Sequence, residues 1–389
     1  MYDMLMIGGG VMSCATAYYL LKLNPRLHIA VVEMDPTYAR NSTILSDGNM
    51  RVQFNIKENI LMSKYGLEVM ENFADEMAVG DDRPDPAVRH QGNLFITSAD
   101  GREEALEGMR LQNSLGCEAV WLEPEQIQAH YPYFDSTRCA GATLGPKDGT
   151  MSPQGVLMGY RKKSAALGAK FMHGEVKHVL TQNGRVTGVK LADGQTLSAN
   201  VVLNGAGAWA GLLAKTAGVA LPVIPIKRQV TVVEIAERPG KILPAIFFPS
   251  GLYAMHEGGG MFTFGQSFPD DPETVDDFVW QRELFEERMW PDIVELMPVF
   301  DRLKIQSGWA GLYEVNTLDH NAILGEWPGL RGFYCANGFS GHGFQQCHAV
   351  GRYIAEQMLG LPPALDLSIF SPQRILDNAP VFESKRKII

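Results

Sequence analysis

Tyr2-Asp3-Met4-Leu5-Met6-Ile7-Gly8-Gly9-Gly10-Val11-Met12-Ser13-Cys14 is the stretch that decides how this chain is read. An apolar run enters a G-x-G-x-x-S turn at Gly8, Gly10 and Ser13. Ala15, Tyr18, Tyr19 and Leu21 then recur at helical spacing up to Asn24-Pro25, and a second apolar run ends in Val31-Val32-Glu33. Glu33 lies 23 residues beyond Gly10, close to the ~20 that separate the glycine turn from the ribose-binding acid in a dinucleotide-binding unit. Each part has a physical task. Gly8 permits the tight turn, and Gly10 lets the backbone approach a diphosphate. The helix N-terminus offers free N–H groups and partial positive charge to that anion. Glu33 accepts hydrogen bonds from a ribose 2′-hydroxyl and repels a 2′-phosphate. Ser13 is small enough for helix–strand packing. A lone glycine pattern would be a weak signal; strand, turn, helix, strand and acid in register make it a strong one.

The 389 residues exceed one simple core and imply two or more lobes. A net charge of −10 argues against nucleic acid as a partner, and Lys385-Arg386-Lys387 reads as a solvated tail. The first strand begins almost at Met1, which leaves no room for a cleavable signal, and no apolar run reaches the ~18 residues of a membrane span. Five scattered cysteines without a C-x-x-C pair and nine dispersed histidines point to a reducing, cytoplasmic location and no metal.

Texture along the chain suggests two interleaved domains. Residues 1–80, 148–220 and 308–389 have α/β character: a helical stretch at Ile56–Glu76, a helix over Pro153–Ala166, strands at Ala169–His173 and Glu175–Leu180, a hairpin at Asn183-Gly184, and a final strand and helix flanking residues 337–343. Residues 81–147 and 221–307 are less regular or strand-rich, with alternation at Gln229–Glu234, Gly251–Met255 and Met261–Gly265 typical of a half-buried antiparallel sheet. Glu273–Met297 reads as an amphipathic helix carrying Phe278, Trp280, Phe285 and Trp290. Exposed, its tryptophans would form a peripheral membrane or partner-subunit contact; buried, they are core.

Two further glycine turns carry information. Gly205-x-Gly207-x-x-Ala210 follows the run Val201-Val202-Leu203, but Gly218, Pro222 and Pro225 stop its helix near Ala217, too short for a second dinucleotide unit. It is better read as a turn passing close to the first nucleotide. Gly338-Phe339-Ser340-Gly341-His342-Gly343 leaves a strand and enters a helix, so its backbone can lie against a flat ligand while the helix N-terminus stabilises negative charge.

These segments, with Ala39-Arg40-Asn41-Ser42-Thr43, Asn204 to Trp209 and Ala310-Gly311-Leu312-Tyr313, recur in an order that resembles the D-amino-acid oxidase (DAO) family of flavoproteins. The likeness covers nearly the whole chain and is strongest to the branch of sarcosine oxidase β-subunits, opine oxidases and imino-acid dehydrogenases. Asn316-Thr317-x-Asp319 and Gly343-Phe344-Gln345-Gln346 resemble a mitochondrial branch linked to respiratory complex I assembly. The resemblance implies a mixed α/β, para-hydroxybenzoate-hydroxylase-like fold, in which a Rossmann-like FAD-binding domain interleaves with an antiparallel-sheet substrate domain. It implies oxidation of a C–N bond by hydride transfer to flavin followed by imine hydrolysis. Residues matching the FAD-binding pattern are Gly8, Gly10, Val11, Met12, Ser13, Glu33, Met34, Arg40, Asn41, Ser42, Thr43, Val176, Ala206, Gly207, Trp209, Gly311, Gly338, Ser340, Gly341, His342, Gly343, Phe344 and Gln345.

For substrate, Tyr253 and Tyr313 occupy strand positions where relatives face the ligand, and Arg51 is the cation best placed for a carboxylate. Each has a plainer reading, the tyrosines as core and Arg51 as a surface ion pair; Lys227-Arg228 reads as solvated. Gly311 stands where some relatives carry a flavin-linking Cys, and His28 lies in a helix–strand connection, so non-covalent FAD is expected. Gln345 stands where monomeric sarcosine oxidases carry a Lys that assists dioxygen reduction, which leaves dioxygen, a quinone or an electron-transfer protein open as acceptor. The expected substrate is a secondary amino acid such as sarcosine, iminodiacetate or an opine. A primary amino-acid dehydrogenase and a flavin-bearing assembly factor are the alternatives.

Overall fold

The structure is a computed structural model and describes residues 1–383, so Lys385-Arg386-Lys387 lies outside the described residues. Two eight-stranded sheets organise the chain. In the first, Tyr2–Ile7 is central and parallel to both Ile29–Glu33 and Thr196–Asn204; Lys170–His173 extends one side, and Phe333–Asn337 with antiparallel Ile323–Glu326 extends the other. Strands covered on both faces need continuous rather than alternating apolar character. Met4, Leu5, Met6 and Ile29 to Val32 are accordingly all buried.

Helices Val11–Leu23, Pro153–Ala166, Lys57–Glu71 and Gly343–Met358 build the core on one face of this sheet. Gly351 permits the close crossing of the first and last: a Cβ there would lie 2.6 Å from Ala15 Cβ. The opposite face is closed by the Val176–Gln182 and Arg185–Leu191 hairpin and the short Ala210–Thr216 helix. The hairpin turns at Asn183-Gly184, both with positive φ, as the sequence predicts.

The second sheet runs in the spatial order Lys304–Asn316, Val223–Glu234, Met261–Gly265, Tyr253–Gly258, Ala245–Phe247, Asn93–Thr97, Gly141–Gly145, Val120–Leu122. All its pairings are antiparallel except Ala245–Phe247 with Asn93–Thr97. Lys304–Asn316 pairs with Val223–Glu234 along its whole length, so the boundary expected at 308 falls inside a strand of this sheet.

Two helical expectations are corrected. The Ile56–Glu76 stretch breaks at Asn72, whose ψ of 11° leaves the helical region, giving Lys57–Glu71 and Phe73–Glu76. Residues 273–281 are not helical: Thr274 Oγ1 accepts the Asp277 N–H at 3.2 Å and Asp277 Oδ1 accepts the Val279 N–H at 2.9 Å, local bonds that compete with a helix. Helix begins at Arg282 and passes through a π turn at Phe285–Met289 into Trp290–Leu296. Trp280 donates its indole N–H to Thr231 and Trp290 donates to the Phe300 carbonyl, so both rings are anchored inward, each half-buried. No helix among the described residues is long and apolar enough to cross a membrane.

Candidate active site

A cavity of about 660 Å³ is lined by both sheets, from the Gly8 turn at one end to Arg51 and Tyr253 at the other. At the turn end, Gly8 has φ +87°, and a Cβ would stand 2.5 Å from the Gly205 carbonyl oxygen, so only glycine fits. The Gly205–Gly207 segment thus packs directly on the first turn, and Ala206, Gly207 and Trp209 line the same cavity. Gly10 caps the Val11–Leu23 helix without a side chain. A Cβ there would project between Asn41 Nδ2 and Thr43 Oγ1, at 3.4 and 3.6 Å, and fill the space before the helix N-terminus.

The Arg40–Thr43 turn closes this cradle. Thr43 Oγ1 accepts the Val11 N–H at 3.3 Å, and Ser42 donates to the Leu312 carbonyl at 2.8 Å, tying the turn to the second sheet. Glu33 accepts the Gly9 N–H at 2.6 Å through one oxygen and the Asp35 N–H at 2.8 Å through the other. Its carboxylate is therefore held at the rim with lone pairs left for a diol. Met12, Met34, Arg40 and Val176 also line the wall. Backbone cradle, helix N-terminus and acid together fit a dinucleotide, with Gly8, Gly10, Val11, Glu33, Asn41 and Thr43 as the residues that would hold it.

Three residues expected at the ligand do not line this cavity. Ser13 is fully buried at the helix–turn crossing, where a Cβ on Gly205 would strike its Oγ at 2.3 Å; it packs and does not line the cavity. Gly338 donates its N–H to Glu314, and Ser340, at φ +49°, accepts the Asn316 N–H through Oγ at 3.0 Å. These two shape the loop whose later residues, Gly341, His342, Gly343, Phe344 and Gln345, do reach the cavity. Gly341 is required there: at φ +101°, a Cβ would stand 2.6 Å from the Tyr313 ring.

The far end is built by strand alternation, which sends residues two apart to one face. Trp309, Gly311 and Tyr313, with Arg228 and Val230 opposite Gly311 and Trp309, form one wall. Tyr253, Phe247 and Phe95 continue it, the two phenylalanines stacked at 4.5 Å. Arg51 enters from the loop after Asn49–Met50. Gln345 Oε1 accepts its backbone N–H at 2.7 Å, and Asp148 accepts the next N–H, from Val52, at 2.9 Å. The Arg51 side chain lies over Phe54 and Phe95, 4.6 and 5.1 Å from the ring centres.

Arg51 is buried, and no described carboxylate lies within 4.0 Å of it. The surface ion pair is thus excluded among the described residues, and burial pulls the guanidinium pKa down. Lys227 and Arg228 are not solvated: Lys227 is 2% exposed and paired with Asp277, while Arg228 pairs with Asp271 and lies 5.5 Å from the Tyr313 ring centre. Neither tyrosine is plain core, since both line the cavity.

Electrostatics at this end are set by burial. The Tyr253 hydroxyl donates to Asp47, whose carboxyl burial raises to about 7. Glu314, beneath the Gly338 loop, is raised by burial to about 8. His342, at the N-terminus of the last helix, is pushed by burial and then by Arg51 down to about 3, so its ring is neutral. Sequence reasoning missed Asp47 and Glu314. Glu314 follows Tyr313 and was within reach of the strand register; Asp47 sits in an irregular turn with no periodic signal.

Comparison with known proteins accords with this geometry. The family described as FAD dependent oxidoreductase, DAO, matches residues 3–357. The FAD-dependent oxidoreductase domain-containing protein 1 of Bos taurus is 34% identical over 92% of this chain and 81% of its own length. Sarcosine oxidase subunit beta of an Arthrobacter species is 28% identical over 91% and 86%. The crystal structure of L-proline dehydrogenase from P. horikoshii superposes with a TM-score of 0.86 at 25% identity, covering 98% of this chain and 99% of that one. With a match across most of its length and a cavity built around the glycine turn, the chain belongs to the DAO family of FAD-dependent oxidoreductases.

Proposed function

We propose that the protein oxidises the C–N bond of an N-substituted amino acid. The observation that carries this is Arg51, a buried cation at the end of the cavity with no described carboxylate partner. Glu383 and Asp148 offset its burial only from a distance; a buried charge without a direct ion pair is costly, and a ligand carboxylate supplies that pair. The names of two relatives support a secondary amine, since sarcosine and L-proline are both N-substituted, while the glycine oxidase of Pseudomonas putida keeps the primary amino acid as the alternative.

FAD, when bound, supplies the hydride acceptor. This chain's residues supply position. Arg51 anchors the carboxylate and is itself fixed by Gln345; Tyr313 and Tyr253 bound the amine side; Phe95 and Phe247 form an apolar wall that excludes water. Such alignment, rather than general acid–base catalysis, is the main contribution asked of the protein. Gly311 carries no atom that could bond the cofactor, and a Cβ there would stand 3.2 Å from Leu45 Cβ, which supports non-covalent FAD. With Gln345 and His342 both uncharged, a quinone or electron-transfer protein is the proposed acceptor rather than dioxygen.

The decisive experiment is an anaerobic screen of amino acids and N-alkyl amino acids for bleaching of the flavin absorbance. Bleaching by N-substituted glycines or cyclic imino acids, faster than by primary amino acids, is expected. A flavin bleached only by primary amino acids overturns the substrate class. A flavin bleached by none overturns the enzymatic reading in favour of a flavin-bearing assembly factor.

A further inference from the structure

Asp47 is a cavity-lining carboxyl that the mechanism above leaves unused. It lies four residues before Arg51, on the other side of the short strand Asn49–Met50, and both line the cavity. One Asp47 oxygen accepts the Tyr253 hydroxyl; the other, Oδ1, is shielded from solvent and has no hydrogen-bond partner among the described residues. A buried acceptor left open beside a cavity is costly unless a ligand donor meets it. Tyr313, on the same wall, is influenced by Asp47 on one side of the charge balance and by Arg228 and Arg51 on the other.

We propose that Asp47, held by Tyr253, reads the amino nitrogen of the substrate, so that the site takes a zwitterion with its carboxylate on Arg51 and its ammonium on Asp47. The inference rests on the amino-acid reading above and names the residue that enforces it. It also gives the nitrogen a route to the neutral state that hydride loss requires. Burial raises the proton affinity of a carboxylate and lowers that of an ammonium. In the shared site the two converge, and a proton can pass: an N–H bond breaks, the Asp47 O–H bond forms, and the lone pair stays on nitrogen. The other charged or titratable groups around Asp47 are Tyr253, Tyr313, Glu257, Arg228 and Arg51. Arg228 is already neutralised by Asp271, and burial raises both tyrosines above their ordinary range.

The test uses two ligands of one shape that cannot be oxidised at an α-C–H, 2-aminoisobutyrate and pivalate, with ammonium replaced by methyl in the second. Calorimetric binding to the flavin-loaded protein should favour 2-aminoisobutyrate at least tenfold at pH 8. Asp47→Asn should abolish that preference and leave pivalate affinity unchanged, which also reports that the variant is folded. In the wild type, the affinity for 2-aminoisobutyrate should fall about tenfold from pH 8 to pH 6 as Asp47 takes up its proton near 7, while pivalate affinity stays level. Equal wild-type binding of the two ligands, a preference that survives Asp47→Asn, or a parallel loss of both in the variant overturns the role of Asp47 alone. Failure of both ligands to bind the wild type overturns the amino-acid reading, and this inference with it.

Discussion

The two ends of the cavity are built on opposite principles. At the Gly8 end almost every ligand-facing element comes from residues 8–43 and works through backbone: a turn, a helix N-terminus and one acid whose carboxylate is fixed by neighbouring N–H groups. At the Arg51 end the chemistry comes from side chains carried by strands distant in sequence, and it consists of buried charge. Arg51 has no direct ion pair among the described residues and feels Glu383 and Asp148 only from a distance, Arg228 is paired with Asp271, and Asp47 is raised to about 7 by burial. The first end is built around geometry, and at Gly8 it tolerates no added atom. The second stores electrostatic cost that a ligand relieves. Substitutions should therefore damage folding at one end and recognition at the other.

The largest effect should come from Gly8→Val, which combines a left-handed φ with a Cβ 2.5 Å from the Gly205 carbonyl. We expect a loss of roughly 3–5 kcal/mol in urea unfolding of the apoprotein. A loss below about 1 kcal/mol would show that the two turns can separate, and would break the contrast.

Arg51→Met should do the reverse. Substrate half-saturation should rise about a hundredfold, on the order of 2–3 kcal/mol, while unfolding free energy changes little, because a buried charge without a direct ion pair is gone. If stability falls instead and affinity holds, Arg51 is a structural cation and the anchor passes to Arg228.

Glu33→Gln sharpens the other side of the comparison. FAD affinity should weaken by roughly 1–2 kcal/mol, the scale of a charge-assisted hydrogen bond, with substrate binding to the reloaded protein unchanged. FAD titration of the apoprotein decides it, and wild-type affinity would remove Glu33 from the site.

The smallest effect concerns the acceptor. Air reoxidation of substrate-reduced protein should be slow at pH 8, where the buried His342 ring, which gains charge only near 3, is neutral. Gln345→Lys should speed it about tenfold by placing a cation where negative charge develops, at a stability cost of about 1 kcal/mol for the lost bond to the Arg51 N–H. Stopped-flow mixing with oxygenated buffer gives both results. Wild-type reoxidation at turnover rates would sink the reading.

Local signals were legible where local forces decide. The glycine turn, Glu33, the Pro153–Ala166 helix and the Asn183-Gly184 hairpin follow from periodicity, capping and the residues that accept positive φ. The expected helix at 273–281 failed because Thr274 and Asp277 bond the backbone themselves, a competition that hydrophobic spacing does not register. Ser13, Gly338 and Ser340 belong to motifs that touch ligand as a group, yet individually they pack the motif from behind.

Sequence alone thus determined the dinucleotide unit and the α/β texture, because each rests on short-range geometry that spacing records, and the order of the motifs carries the resemblance to the family. Tertiary structure alone decided that Arg51 is buried without a described carboxylate, that Arg228 is neutralised by a residue 43 positions away, and that Asp47 meets Tyr253 across 206. Those are facts of burial and distance between strands. The charge state of a side chain depends on what surrounds it, and its neighbours in space are not its neighbours in the chain.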